Sequence, residues 1–327
     1  MQISSGGRRS IDETEYEEMI KIVASQVDSF AAECRDQIED TSIKSILSSR
    51  SEKVYHYTND YGLEGILKKK ELWLTDIFSL NDPTELLHGL DMFRVALAEP
   101  PNLGITRLND KIKELNELNP AQVLPSSARF FVLSTSWHRN DLGQWRSYAD
   151  NGRGFALEFD RLELSKHFDT TFPGGKYYAV IYDDADVMSK MGIIAQRAKN
   201  ILQNISNGPQ RYAIDDAVDM VIEESLRAAT EIALYYKHSG YKDEQEFRYV
   251  NIPDVKTALI ENRRRHYEIV EYQALNLSSH ISNIVRGITV GPSGGANSRK
   301  FAADVLRIYG GSVSNIPISS SNIPYRG

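Results

Sequence analysis

Apolar positions along this chain follow two rhythms. Before residue 40, Met19, Ile20, Val23, Val27, Phe30, Ala31, Cys34 and Ile38 recur at three- and four-residue steps. That spacing predicts one amphipathic helix with a single apolar stripe. Residues 1–10 are polar and glycine-containing and read as a loose tail. From Val54 the period shortens. Val54-Tyr55-His56-Tyr57-Thr58 and Leu72-Trp73-Leu74-Thr75 read as strands. Between them, Leu63, Ile66 and Leu67 form the apolar face of a helix that Asp60 is placed to cap. Asn81-Asp82-Pro83 signals a turn before a helix over Glu85–Ala98, which Pro100 and Pro101 close. Residues 128–136 predict an apolar strand ending in hydroxyls, and Phe155–Phe159, Tyr177–Tyr182, Glu246–Ile252 and 283–290 predict further strands. Residues 184–236 are helical in pattern with a break at Asn207-Gly208-Pro209, and a last helix covers Lys300–Tyr309.

Strands and helices interleave without strict alternation. This predicts an α+β fold with mixed or antiparallel sheets and flanking helices, not a doubly wound parallel sheet. The expected organisation is an N-terminal helical extension over residues 1–50, then one domain over 51–327 with a helical insertion at 184–236. The acidic amphipathic helix can pack on its own domain, pair with a second copy or bind a partner protein.

Charge narrows the function classes. Lys and Arg total 38 against 45 Asp and Glu in 327 residues, a formal net charge of −7. That excludes the strong overall basic field of a protein living on phosphate backbones, while leaving a local basic patch open. Arg263-Arg264-Arg265, followed by His266-Tyr267, is such a patch, read either as solvated surface or as a nucleic-acid contact. The single cysteine, Cys34, excludes an internal disulfide and a cysteine-rich zinc site. The seven histidines are scattered, so no metal site is expected. A lone cysteine, a first segment without an apolar signal region and the lack of an apolar run of about 20 residues give a cytoplasmic, membrane-free expectation.

Four strings carry candidate chemistry. In an extended segment His56 and Thr58 share a face and can hydrogen-bond a polyhydroxy ligand such as ribose, with Tyr55 and Tyr57 on the other side. Ser134-Thr135-Ser136-Trp137 ends a strand with Ser134 and Ser136 on one face; these hydroxyls either bind a ligand or satisfy their own backbone. Trp145-Arg146-Ser147-Tyr148 either stacks a planar ring and holds a phosphate, or is a helix turn that packs Trp145 and Tyr148 inward. Glu244 and Glu246 share a face at the mouth of a strand, where two close carboxylates repel and one pKa rises; the alternative is an acidic loop with Arg248 paired to a carboxylate. The Gly291–Gly295 loop reads as a structural turn.

Taken together, YHYTNDYGLEGIL, LWLT with FSLNDPTEL, STSW with QWRSYADNGRGFALEFD, KDEQEFR, and the tail ITVGP, IYGG and IPYR resemble the bacterial domain-of-unknown-function 2971 family from about Val54 onward. The order of a His-x-Thr strand, a short helix and a second strand, with a later Ser-Thr-Ser strand end and a Glu-x-Glu strand, is similar more loosely to ADP-ribosyltransferase-like domains. That resemblance implies NAD as substrate. His56 would bind the adenosine ribose, with the backbone beside it, at Tyr57 and Thr58, holding the nicotinamide amide. Tyr148 or Trp145 would stack on nicotinamide, with Ser134, Ser136 and Arg146 among the cofactor contacts. Glu246 would hold a ribose 2′-hydroxyl and stabilise an oxocarbenium-like transition state, and Glu244 would orient the acceptor. This chain mixes the His-type first motif with the Ser-Thr-Ser of another branch, and inserts helices before the acidic motif. The expected activity is ADP-ribose transfer from NAD to a protein or nucleic-acid acceptor, as a bacterial toxin or antiphage effector. The alternatives are NAD hydrolysis and a non-enzymatic nucleotide or nucleic-acid recognition module.

Overall fold

The computed structural model describes residues 12–39, 52–80, 84–118, 120–124, 128–254, 256–265 and 267–325. The tail over residues 1–10, the turn at Asn81-Asp82-Pro83 and His266 lie outside them. In chain order the described elements begin with helix α1 (Glu13–Glu39), strand β1 (Lys53–Thr58), α2 (Asp60–Lys69) and β2 (Glu71–Asp76). There follow α3 (Thr84–Ala98), α4 (Thr106–Glu117), β3 (Phe131–Ser136), α5 (Leu142–Tyr148), β4 (Phe155–Asp160), α6 (Arg161–Thr171) and β5 (Lys176–Ala179). The chain continues with α7 (Asp184–Asn207), α8 (Ile214–Ala233), β6 (Glu246–Asn251), β7 (Glu261–Arg265), β8 (Glu268–Asn276), β9 (Val285–Val290), α9 (Gly295–Tyr309) and β10 (Ile318–Ser320). One-turn helices occur at Pro120–Val123 and Ile281–Ile284. The fold is thus mixed α and β, as expected.

Contacts group the chain into two units. The first comprises the described parts of Met1–Asp40, Leu86–Leu124 and Ala185–Leu234. Its described elements are helices. The apolar stripe of α1 (Val23, Val27, Phe30, Ala31 and Cys34) is buried, and α1 packs against α8. The Tyr16 hydroxyl donates to the Asp216 carboxylate, and Arg107 pairs with Asp219 at 2.8 Å. The contacts therefore divide the chain differently from a cut at residue 50: α1 groups with the helices of 185–234. None of the described helices is long and apolar enough to cross a membrane.

The second unit comprises the described parts of Thr41–Glu85, Pro125–Asp184 and Tyr235–Gly327 and holds the sheet. Its main order is β10-β9-β4-β1-β3-β2-β8-β7, with β6 joined to β3 and β5 joined to β6. Among the described strands, every pair is antiparallel except β10 with β9, so the sheet is mixed. One face packs Leu157, Phe159 and Phe247 against Leu63 and Leu67 of α2, Leu164 and Phe168 of α6, and Val305 and Leu306 of α9. The other face carries a smaller cluster of Tyr55, Tyr57 and Ala156 with Trp145 and Ala149.

The sheet is split at β3. One edge of β3 pairs with β6 along its whole length, from Phe131↔Asn251 to Ser136↔Glu246. The other edge is shared: β1 takes the Ser136 end through Tyr55, and β2 takes the Phe131 end through Thr75 and Asp76. Residues 133–135 face the gap between β1 and β2. Backbone groups not taken up by a ladder must find other partners, so such a gap favours polar side chains and ligands.

Candidate functional site

The gap opens into a cavity of about 790 Å³, and the residues lining it all belong to the second unit. Its β1 wall is set by local chemistry. Asn59 caps α2, its Oδ1 accepting from the Gly62 N–H at 2.9 Å, so the N-cap is Asn59 and not Asp60. A Cβ on Gly62 would lie 1.8 Å from Thr58 Oγ1, so a side chain at this position would force the Thr58 hydroxyl to move. His56 Nδ1 lies 3.1 Å from the Ser134 carbonyl. A carbonyl only accepts, so Nδ1 carries the proton and Nε2 is left as the acceptor. Burial pushes the His56 pKa down, with Arg263 adding to the shift, and the ring is neutral at pH 7.

A charged network fills another wall. Glu246 and Arg248 are two apart on β6 and so share a face, and Arg248 Nε donates to Glu246 Oε2 at 2.8 Å. Lys237 Nζ donates to Glu246 Oε1 at 3.0 Å and to the Glu244 carboxylate. Arg248 Nη2 reaches Glu85 Oε2 at 3.0 Å. The expectation that Glu244 and Glu246 share a face of one strand does not hold: Glu244 ends a helical turn, and Gln245 follows with φ 45°. The two carboxylates meet through that left-handed step and through Lys237 between them.

Their protonation differs by environment. Burial opposes ionisation of Glu246, but Arg248 and Lys237 outweigh it and hold the pKa well below the usual carboxylate range. For Glu244 burial dominates, and Lys237 only partly offsets it, so its pKa is pushed up to about 7. Burial also raises Glu85. The carboxylates in turn raise Lys237 and Arg248 against their burial. Glu244 is thus the member able to exchange a proton near neutral pH, and Glu246 is a fixed anion.

The cavity brings together His56, Tyr57, Thr58, Ser134, Tyr148, Glu244 and Glu246. Three expected contacts lie elsewhere. Ser136 is buried, its Oγ donating to the Glu244 carbonyl at 2.8 Å and accepting from the His138 N–H at 3.0 Å, so it ties β3 to the acidic turn. Trp145 is fully buried, edge-on to Tyr57 at 4.8 Å, with Nε1 donating to Asn140 Oδ1 at 2.9 Å. Arg146 is exposed and does not line the cavity. The reason is that residues 142–148 are helical, so successive side chains turn by about 100° and only part of the motif faces one way. The lining also includes residues that no candidate sequence motif marks: Glu85, Trp73, Thr75, Gln144, Lys237 and Tyr241. Lys237 alone left a trace, as a cation directly after the apolar run Ala233-Leu234-Tyr235-Tyr236.

No curated protein and no solved structure matches this chain. The matched family segment runs from Gln144, in the cavity wall, to Tyr249, just past the charged network, and so contains Tyr148, Lys237, Glu244, Glu246 and Arg248. Residues 144–249 match the model of the family described as Protein of unknown function (DUF2971), and over that stretch the resemblance drawn from the sequence holds.

Proposed function

We propose that the cavity binds NAD and that the protein transfers ADP-ribose from it to a macromolecular acceptor. One observation carries this reading: His56, Tyr148, Glu244 and Glu246, from separate segments, line a single cavity of about 790 Å³. That is ample for a dinucleotide, by comparison with ligand pockets of roughly 300–1,000 Å³. The succession β1, α2, β2 also follows the order implied by the likeness to ADP-ribosyltransferase-like domains.

In the reaction the bond from ribose C1′ to the nicotinamide nitrogen breaks. Nicotinamide leaves with the electron pair, which neutralises its ring cation. The acceptor's nucleophile forms the new bond to C1′, and its proton passes to the Glu244 carboxylate. His56 Nε2 accepts from a ribose hydroxyl. Each carboxylate oxygen offers more than one lone pair, so Glu246 can accept from the 2′-hydroxyl while it holds Lys237 and Arg248. Orientation and one fixed anion suit a departing group that is already good.

A second reading is favoured by the same clamp. The charge of Glu246 is shared with two cations, which weakens its hold on a developing positive charge and suits nucleotide recognition without turnover. Chromatography of nicotinamide released from NAD, with an adenine-labelled sample to follow the ADP-ribose, separates them. Release by the wild type, cut about 100-fold or more in Glu246→Gln, is expected. Saturable NAD binding with no release selects the recognition module; label that stays soluble selects hydrolysis.

A further inference from the structure

Arg263 is the feature of the cavity that the acidic network does not account for. It lies on the outer strand β7 and pairs with Val270 of β8. Because β8 lies between β7 and β2, the side chain must cross β8 to reach the cavity. There its guanidinium sits over the Trp73 ring, 5.2 Å from the centroid, and Nη2 donates to Thr75 Oγ1 at 3.1 Å. Its Nε is buried with no hydrogen-bond partner. Among the described residues no carboxylate pairs with it. Lys237, Arg248 and Arg265, by contrast, each meet one. A half-buried guanidinium stays charged, and one that lines a cavity without a carboxylate partner is placed to take an anion from outside.

The neighbourhood supports an anion. The lining carries Lys237, Arg248, Arg263, Arg264 and Arg265 against the carboxylates Glu85, Glu244 and Glu246. Arg263 is also close enough to His56 to help lower its pKa. One ligand can therefore offer a hydroxyl to the acceptor nitrogen of His56 and a negative group to Arg263. Ribose carrying a phosphate at its 5′ carbon has both.

The geometry points to an anion subsite at Arg263 that takes the diphosphate of a nucleotide, steadied by Trp73 and Thr75. Naming that nucleotide as NAD rests on the function proposed above; the anion subsite itself does not.

Titration calorimetry of the full chain with inorganic pyrophosphate, ADP and adenosine tests this. Pyrophosphate and ADP should bind the wild type. Arg263→Gln should weaken both by about tenfold or more and leave adenosine unchanged. Arg263→Lys, which keeps the charge but loses the planar fork, should fall between and serves as the readout if Arg263→Gln does not fold. Equal affinities of wild type and folded variants for pyrophosphate and ADP overturn the subsite, as does a wild type that binds ADP no better than adenosine. Arg263-dependent pyrophosphate binding in a protein that releases no nicotinamide keeps the subsite and removes the NAD-splitting reading. Nicotinamide release with an unchanged KM for NAD in Arg263→Gln does the reverse.

Discussion

Arg248 is the residue on which the charged wall depends. Its guanidinium is buried and holds both Glu85 and Glu246. Replacing one partner of a buried pair leaves an uncompensated charge, which typically costs about 3–5 kcal/mol. Arg248→Met should lose roughly that much stability in urea unfolding, where a change below about 1 kcal/mol would mean that water already reaches the network. The two acids give opposite pH signatures. Glu246 has a lowered pKa, so its contribution is present above the ordinary value of 4.5 and is lost as pH falls through the lowered value. Glu244 has a raised pKa, so the folded state keeps its proton longer, and stability from this group falls as pH rises from 4.5 through about 7. Glu244→Gln should flatten that fall in the melting temperature measured across this pH range; an unchanged profile would remove Glu244 from it.

At the scale of elements, α2 sets the mouth of the cavity. Asn59→Ala should cost about 1 kcal/mol, the usual worth of an N-cap, in denaturant midpoint. Gly62→Ala should do more than destabilise. The new methyl meets Thr58 Oγ1 in the cavity lining, so nucleotide affinity should drop with stability; full affinity in a folded variant would contradict the close approach. Elements with a strong period are legible in the sequence: the stripe of α1, the strands over Lys53–Thr58, Glu71–Asp76 and Glu246–Asn251, and the two helices of 184–236 with their break. The β7–β8 hairpin was not. Its first strand is Glu-Asn-Arg-Arg-Arg, whose charges look like solvated surface in one dimension. The β5 strand ends at Ala179, short of the aromatic run that suggested Tyr182.

Over the molecule as a whole, charge is segregated. The chain carries a net charge of −7, yet five cationic side chains against three acids line the cavity. The affinity of the anionic ligand proposed above should weaken as salt rises from about 0.05 to 0.5 M, where screening lengths shrink below about 10 Å. In the helical unit, Phe30 is 4% exposed, and Phe30→Ala should cost about 3–5 kcal/mol in unfolding experiments. The sequence by itself determined the strongly periodic elements and some of the residues that line the cavity, because helix and strand periods depend on neighbours a few positions apart. It named His56, Tyr148, Glu244 and Glu246. It did not determine their electrostatic partners. Lys237, Glu85 and Arg263 reach the cavity only through the packing of a helix start and the register of strands far apart in the chain, where a slip of one residue turns every side chain to the other face. Tertiary structure decided which acid is a fixed anion and which exchanges its proton near neutral pH, because burial and the nearest opposite charge set a pKa, and both are properties of the folded chain.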